Sequence, residues 1–153
     1  MSTVTDRLTE LGLVLPAVAK PLAAYIPAVI SGNLVFTAGQ LPFVDGALPS
    51  TGKLGAELSA EEGAALARIS ALNALAAAES AIGSLDRVTR VVKVVVFVAS
   101  TPDFTAQPAV ANGASELLGQ VFGDAGAHVR SAVGVSVLPI DSPVEVELIL
   151  EFA

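Results

Sequence analysis

Cysteine and tryptophan are absent from the 153 residues, and histidine, methionine and tyrosine each occur once. Without cysteine there is no disulfide and no thiolate nucleophile, and the redox compartment stays unspecified. A single histidine argues against a histidine-built metal site. Charge is also scarce. Only 15% of residues are Asp, Glu, Lys or Arg, against about 25% in an ordinary domain. The balance is −7, with no basic run or basic helix face, and phosphate backbones reward clustered Lys and Arg. Nucleic acid is therefore not an expected partner.

What is abundant is apolar surface, at 53% of residues. A chain of this length makes one domain over residues 1–153 and leaves much of its surface exposed. With so few charges to cover that surface, part of the excess is expected between subunits of a homo-oligomer. A membrane is the competing explanation. The stretch Leu13 to Ile30 carries Lys20 and the prolines Pro16, Pro21 and Pro27, and Val91 to Val98 is too short to span and contains Lys93. Residues 1–10 are polar, with no apolar leader core. The expectation is a soluble, cytoplasmic protein with no membrane partner.

Periodicity outlines the elements. Residues 3–11 suit a short amphipathic helix, followed by an irregular, proline-punctuated segment to Pro27. Ile26 to Ile30 and Leu34 to Thr37 flank Ser31-Gly32-Asn33 as a hairpin. Ser59 and Glu62 have the spacing of a capping box at the head of a helix that Gly83 closes. Val88 to Ala99 is apolar on both faces near its centre, as an internal strand is. A second helix follows Pro108 and stops near Gly123. Two strands remain, 130–138 and 144–152, with residues 138–143 as the turn of a second hairpin. In the last strand Val144, Val146, Leu148 and Leu150 alternate with glutamates, the period of a half-buried strand. The order predicts an α+β two-layer sandwich: a mostly antiparallel sheet with two helices on one face and the other face uncovered.

Nucleophile-elbow, phosphate-loop, dinucleotide and zinc-helix signatures are all missing. The lone His128 reads as a loop or structural residue. Five segments are informative. They are Tyr25-Ile26-Pro27-Ala28-Val29, Val35 to Pro42 with Ala38-Gly39-Gln40 at its centre, Val92 to Phe97, Asp103-Phe104, and Val129-Arg130-Ser131-Ala132 continuing through Leu138-Pro139 to Val144-Glu145-Val146-Glu147. Together, and in this order over residues 16–153, they resemble the YjgF/Rid family. The resemblance implies a chorismate-mutase-like fold and a trimeric barrel with sheets facing inward. It further implies cofactor-free hydrolysis of 2-aminoacrylate-like enamines and imines to 2-keto acids and ammonia, in clefts between subunits of a homotrimer. Residues 1–15 are an N-terminal extension relative to shorter relatives, and there are added residues between Phe104 and Arg130, which points to a divergent subgroup.

By this resemblance Arg130 holds the substrate carboxylate, for which a guanidinium offers two parallel N–H donors. Glu145, at the family's acidic position, is the candidate to activate water. A two-strand hairpin would bring the two together. Tyr25 and Gly39 match cleft positions, Ala132 retains a main-chain contact where relatives often have cysteine, and Asn112 stands near a site asparagine. Each has a plainer reading: Arg130 as a surface ion-pair partner, Glu145 as one of a solvated row, and Tyr25 as an amphipathic edge residue. Ala38 replaces a family serine. That loss leaves room for a non-catalytic trimer that binds keto acids. A third reading, an endoribonuclease, is disfavoured by the acidic charge and by the lack of a basic groove with stacking aromatics.

Overall fold

The computed structural model describes residues 2–20 and 24–153, so Pro21 in the proline-punctuated segment lies outside the described residues. The elements run α1 (Val4–Glu10), β1 (Ala28–Ser31), β2 (Leu34–Thr37), α2 (Ala60–Ile82), β3 (Val88–Ala99), α3 (Gln107–Phe122), β4 (Val129–Val135) and β5 (Val144–Phe152). The expected cap at the head of α2 forms. The Ser59 hydroxyl accepts from the Glu62 amide at 3.2 Å, and the Glu62 carboxylate accepts from the Ser59 amide at 2.7 Å. Thr3 and Asp6 form the same reciprocal cap on α1, which satisfies amides that the first turn of a helix leaves without partners.

The five strands form one sheet in the order β1-β2-β5-β3-β4. The first hairpin is as expected, with Ser31 opposite Leu34 across a Gly32-Asn33 turn. Gly32 takes a positive φ of 62° there, a conformation glycine adopts without a Cβ penalty.

The second expected hairpin is not formed. β5 pairs antiparallel with both β2 and β3, and β4 pairs parallel with β3 on its far side. The reason lies in α3. A parallel neighbour needs a crossover connection, and the helix between β3 and β4 supplies one. The turn at 138–143 therefore carries the chain over β3 instead of between adjacent strands. Ile140 and Asp141 take positive φ values of 51° and 59° in that turn.

Helices α2 and α3 cover one sheet face. Ala67, Ala71, Ala74 and Ala78 of α2 are fully buried, and their small side chains let the helix lie close to the sheet. Where α2 meets α3, Gly113 approaches the Ala64 carbonyl so closely that a Cβ would overlap it. From the sheet, Val91, Val94, Val96 and Val98 of β3 and Val144, Val146, Leu148 and Leu150 of β5 enter this core. Each such side chain contributes about 1.5–3 kcal/mol when fully buried. By length and composition α2 would be able to cross a membrane, but most of it is packed inside this core.

Among the described residues the opposite face carries no helix. One row across it reads Val29, Phe36, Ile149, Lys93 and Val129, and another reads Glu145, Phe97 and Val133. Val29, Val129 and Val133 are exposed there. The face is apolar, as expected, with a stripe of β5 glutamates through it.

α1 is held against the helical layer. The Val4 amide donates to Asp86 Oδ1 at 2.7 Å, Arg7 Nη1 donates to the Val121 carbonyl at 3.1 Å, and Leu8 is buried.

Candidate active site

The anticipated residues fall into two groups on opposite faces of the sheet. Arg130 is opposite Val94 in the parallel pairing, and Val94 points into the helical core. Residues directly opposite share a face, so Arg130 projects toward α3 from the edge strand. Glu145 is opposite Phe97, three residues along β3 from Val94, and belongs to the uncovered face. The expected meeting of Arg130 and Glu145 within one hairpin does not occur, because β3 lies between their strands.

Around Arg130 the structure gathers polar side chains. Its Nη1 donates to Asn112 Oδ1 at 2.8 Å and to Ser115 Oγ at 3.1 Å. Asn112 and Ser115 are three apart on α3 and so share a helix face. Both hydrogens of Nη1 are thereby engaged, and among the described residues Nε and Nη2 make no hydrogen bond. Nor does any carboxylate pair with Arg130 there: the ion pair among the described residues joins Lys53 and Asp141 at 3.5 Å. The guanidinium is therefore oriented by neutral oxygens and keeps its charge unneutralised. Its Nε–Nη2 edge, with two parallel N–H vectors, is the geometry that accepts a carboxylate bidentately. Ala132 follows on the same face of β4 and packs against the core.

His128 and Ser115, which motif reading did not select, belong to this group. His128 Nε2 lies 2.9 Å from Ser115 Oγ, and its Nδ1 lies 2.6 Å from the Gly126 carbonyl. The signal available in the sequence was spacing alone: His128 alternates with Arg130, and Ser115 lies one helical turn beyond Asn112.

The second group surrounds an irregularity between β2 and β5. Regular pairing ends at Phe36 opposite Ile149 and resumes at Gln40 opposite Val146, with one extra residue on the β2 side. This is a β-bulge, a device that re-aims side chains. Thr37 Oγ1 takes the Leu148 amide at 3.0 Å inside it, and the Ala38 amide donates to the Pro27 carbonyl at 2.8 Å. Gly39 sits at the bulge with the Glu145 side chain against it, so that a Cβ would overlap the carboxylate. Tyr25, 48% exposed, lines a small pocket of about 30 Å³ together with Lys20, Gly39 and Gln40. This adjoins a larger, mainly apolar pocket of about 530 Å³ bounded by residues 16–20, Phe43, Asp45 and Asn73.

The Glu145 carboxyl is pushed above its ordinary value near 4.5, first by burial and then by the neighbouring Glu147 charge. Removing a carboxylate from water disfavours its ionised form, and a like charge adds to the effect. Such a group holds and releases a proton closer to neutrality than an exposed glutamate does. No group of three or more metal-ligating side chains occurs among the described residues.

A family model described as "YjgF/chorismate mutase-like, putative endoribonuclease" matches residues 5–152. Protein TCP17 of Trypanosoma cruzi is 48% identical over 149 residues, covering 97% of this chain and 93% of that protein. The crystal structure of a putative endoribonuclease from Shewanella oneidensis superposes with a TM-score of 0.96 at 36% identity, covering 99% of this chain and all of the other. That of Escherichia coli TdcF with bound serine gives a TM-score of 0.58 at 28% identity, covering 90% and 93%. The match begins within α1, so it extends over the N-terminal segment as well as the motifs that follow. This chain belongs to the YjgF/chorismate mutase-like family.

Proposed function

We propose that the protein hydrolyses small imino acids, or the enamines in equilibrium with them, to 2-keto acids and ammonia. The observation that carries this reading is the free Nε–Nη2 edge of Arg130, fixed in plane through Nη1 and without a carboxylate partner among the described residues. A half-buried guanidinium with no counter-ion favours an anionic ligand, and its two parallel donors suit the carboxylate of an imino acid. TdcF, a member of the same fold, holds serine, a ligand that also carries a carboxylate next to an amino-bearing carbon.

Held by that carboxylate, the C=N carbon is presented to water. Glu145 takes a proton from the water as its oxygen adds to that carbon, and returns it to the imine nitrogen to give a neutral amino-alcohol. This tetrahedral adduct then collapses: its hydroxyl proton passes to the amino nitrogen, the C–N bond breaks, and ammonia and the 2-keto acid separate. The raised proton affinity of Glu145 suits a group that accepts and returns one proton per cycle. Tyr25 and Gly39 shape the Glu145 side, and Asn112 orients the anchor. No cofactor is required.

Within one copy Arg130 and Glu145 occupy different faces, so this chemistry calls for two copies, Arg130 from one and Glu145 from its neighbour. A closed trimer satisfies that requirement at three equivalent clefts and buries the apolar sheet face.

The test is ammonia release from imino acids generated in place by an amino-acid oxidase. Activity in the wild type and its loss in a folded Arg130→Ala variant are the expected results. No release across a broad amino-acid panel would sink the reading. If keto acids still bound, a ligand-binding trimer would take its place, consistent with Ala38 standing where relatives have serine. RNA cleavage by nuclease-free protein, abolished by Arg130→Ala, would instead favour the endoribonuclease reading.

A further inference from the structure

We propose that Ser115 and His128 are positioning residues that set the plane of the Arg130 guanidinium through a one-directional hydrogen-bond chain. The proposal rests on the reading of Arg130 as the carboxylate anchor.

The direction follows from what each group is able to do. The Gly126 carbonyl can only accept, so His128 Nδ1, at 2.6 Å, carries the hydrogen. In the neutral ring Nε2 is then an acceptor. Its neighbour at 2.9 Å is Ser115 Oγ, which must donate. With its one hydrogen committed to the imidazole, Ser115 offers Arg130 only lone pairs, and Nη1 donates to it at 3.1 Å. Every donor and acceptor in the chain has one consistent role.

Without His128, a helical serine ordinarily turns its hydroxyl toward the carbonyl one turn earlier, here that of Ala111. The imidazole holds the hydroxyl away from that default. Asn112 Oδ1 takes the other Nη1 hydrogen at 2.8 Å, so the guanidinium is gripped at one nitrogen from two directions. The Nε–Nη2 edge is then aimed without being touched, which lowers the ordering cost of ligand capture. Neither Ser115 nor His128 needs to contact the ligand.

Two measurements test this. The chain has one histidine, so its ¹⁵N spectrum shows one imidazole. The Nδ1–H tautomer is expected for the neutral ring in the wild type, and observation of the Nε2–H tautomer would overturn the chain. In calorimetric titration with pyruvate as probe, Ser115→Ala and His128→Phe should each weaken binding by about 5-fold, the scale of one net hydrogen bond. Ser115→Thr should restore affinity, and all three changes should be silent in an Arg130→Lys background. Unchanged pyruvate affinity in Ser115→Ala and His128→Phe would overturn the positioning role while leaving Arg130 as anchor. Absence of pyruvate binding in the wild type would remove the anchor reading itself, and the positioning role with it.

Discussion

Arg130 and Glu145 project from opposite faces of a single sheet, with β3 between the strands that carry them. Subunit complementation follows. Arg130→Ala and Glu145→Ala proteins should each be inactive alone. Unfolded and refolded together in equal amounts, they should regain about a quarter of wild-type activity, the statistical share of clefts with both native residues in a closed homo-oligomer. No recovery in verified mixed trimers would show that both groups act from one copy.

Loss of the Arg130 anchor is expected to act on binding and rate with little effect on folding, because the side chain is only half-buried. Arg130→Ala should lower kcat/KM about 10- to 100-fold or more, the range set by charged hydrogen bonds of about 1.5–3 kcal/mol. Steady-state kinetics together with a thermal melt would check this. A large fall in Tm with unchanged kcat/KM would reassign Arg130 to structure.

The contact between Gly39 and Glu145 predicts a compensating pair. Gly39→Ala puts a methyl group into the space of the carboxylate, and such overpacking typically costs about 1–3 kcal/mol. In a Glu145→Ala background most of that cost should disappear, because the obstructing side chain is gone. Denaturant melts of the four proteins in the cycle measure the coupling; simple additivity would refute the steric account.

The raised proton affinity of Glu145 sets a direction for stability against pH. The folded state binds this proton more tightly than the unfolded chain does, so its contribution is fully present below the unfolded value near 4.5. It is lost as pH rises through the folded value. Glu145→Gln should therefore be more stable than the wild type at pH 7, with the gap closing as pH falls below the ordinary carboxylate range. Paired melts across pH would show it. A gap of opposite sign would mean that the ionised carboxylate is stabilised in the fold.

Much of the architecture was legible in the residues because it is written locally. The capping box at Ser59, the Gly32-Asn33 turn, Gly83 as a helix stop and the alternation of Val144 to Leu150 each act over a few residues. Strand order was not legible in this way. Whether β4 pairs with β5 or with β3 depends on how α3 carries the chain back across the sheet, and the short segment 138–143 looks like a hairpin turn when read alone. The placement of the candidate site divides in the same manner. Motif order pointed to Arg130, Gly39 and Glu145, but the face each occupies follows from register. Ser115 and His128 enter only through contacts between elements 13 residues apart.

The position of β5 also bears on how the chain matures during synthesis. β5 lies between β2 and β3, yet residues 144–152 follow every other strand in the sequence. Until they leave the ribosome, the hairpin and β3 have no strand to join them, and the apolar faces of α2 and α3 have only part of a sheet to cover. A nascent chain halted before Val144 should therefore stay protease-sensitive and dependent on chaperones. Release of the last strand would then close the sheet in a single late step.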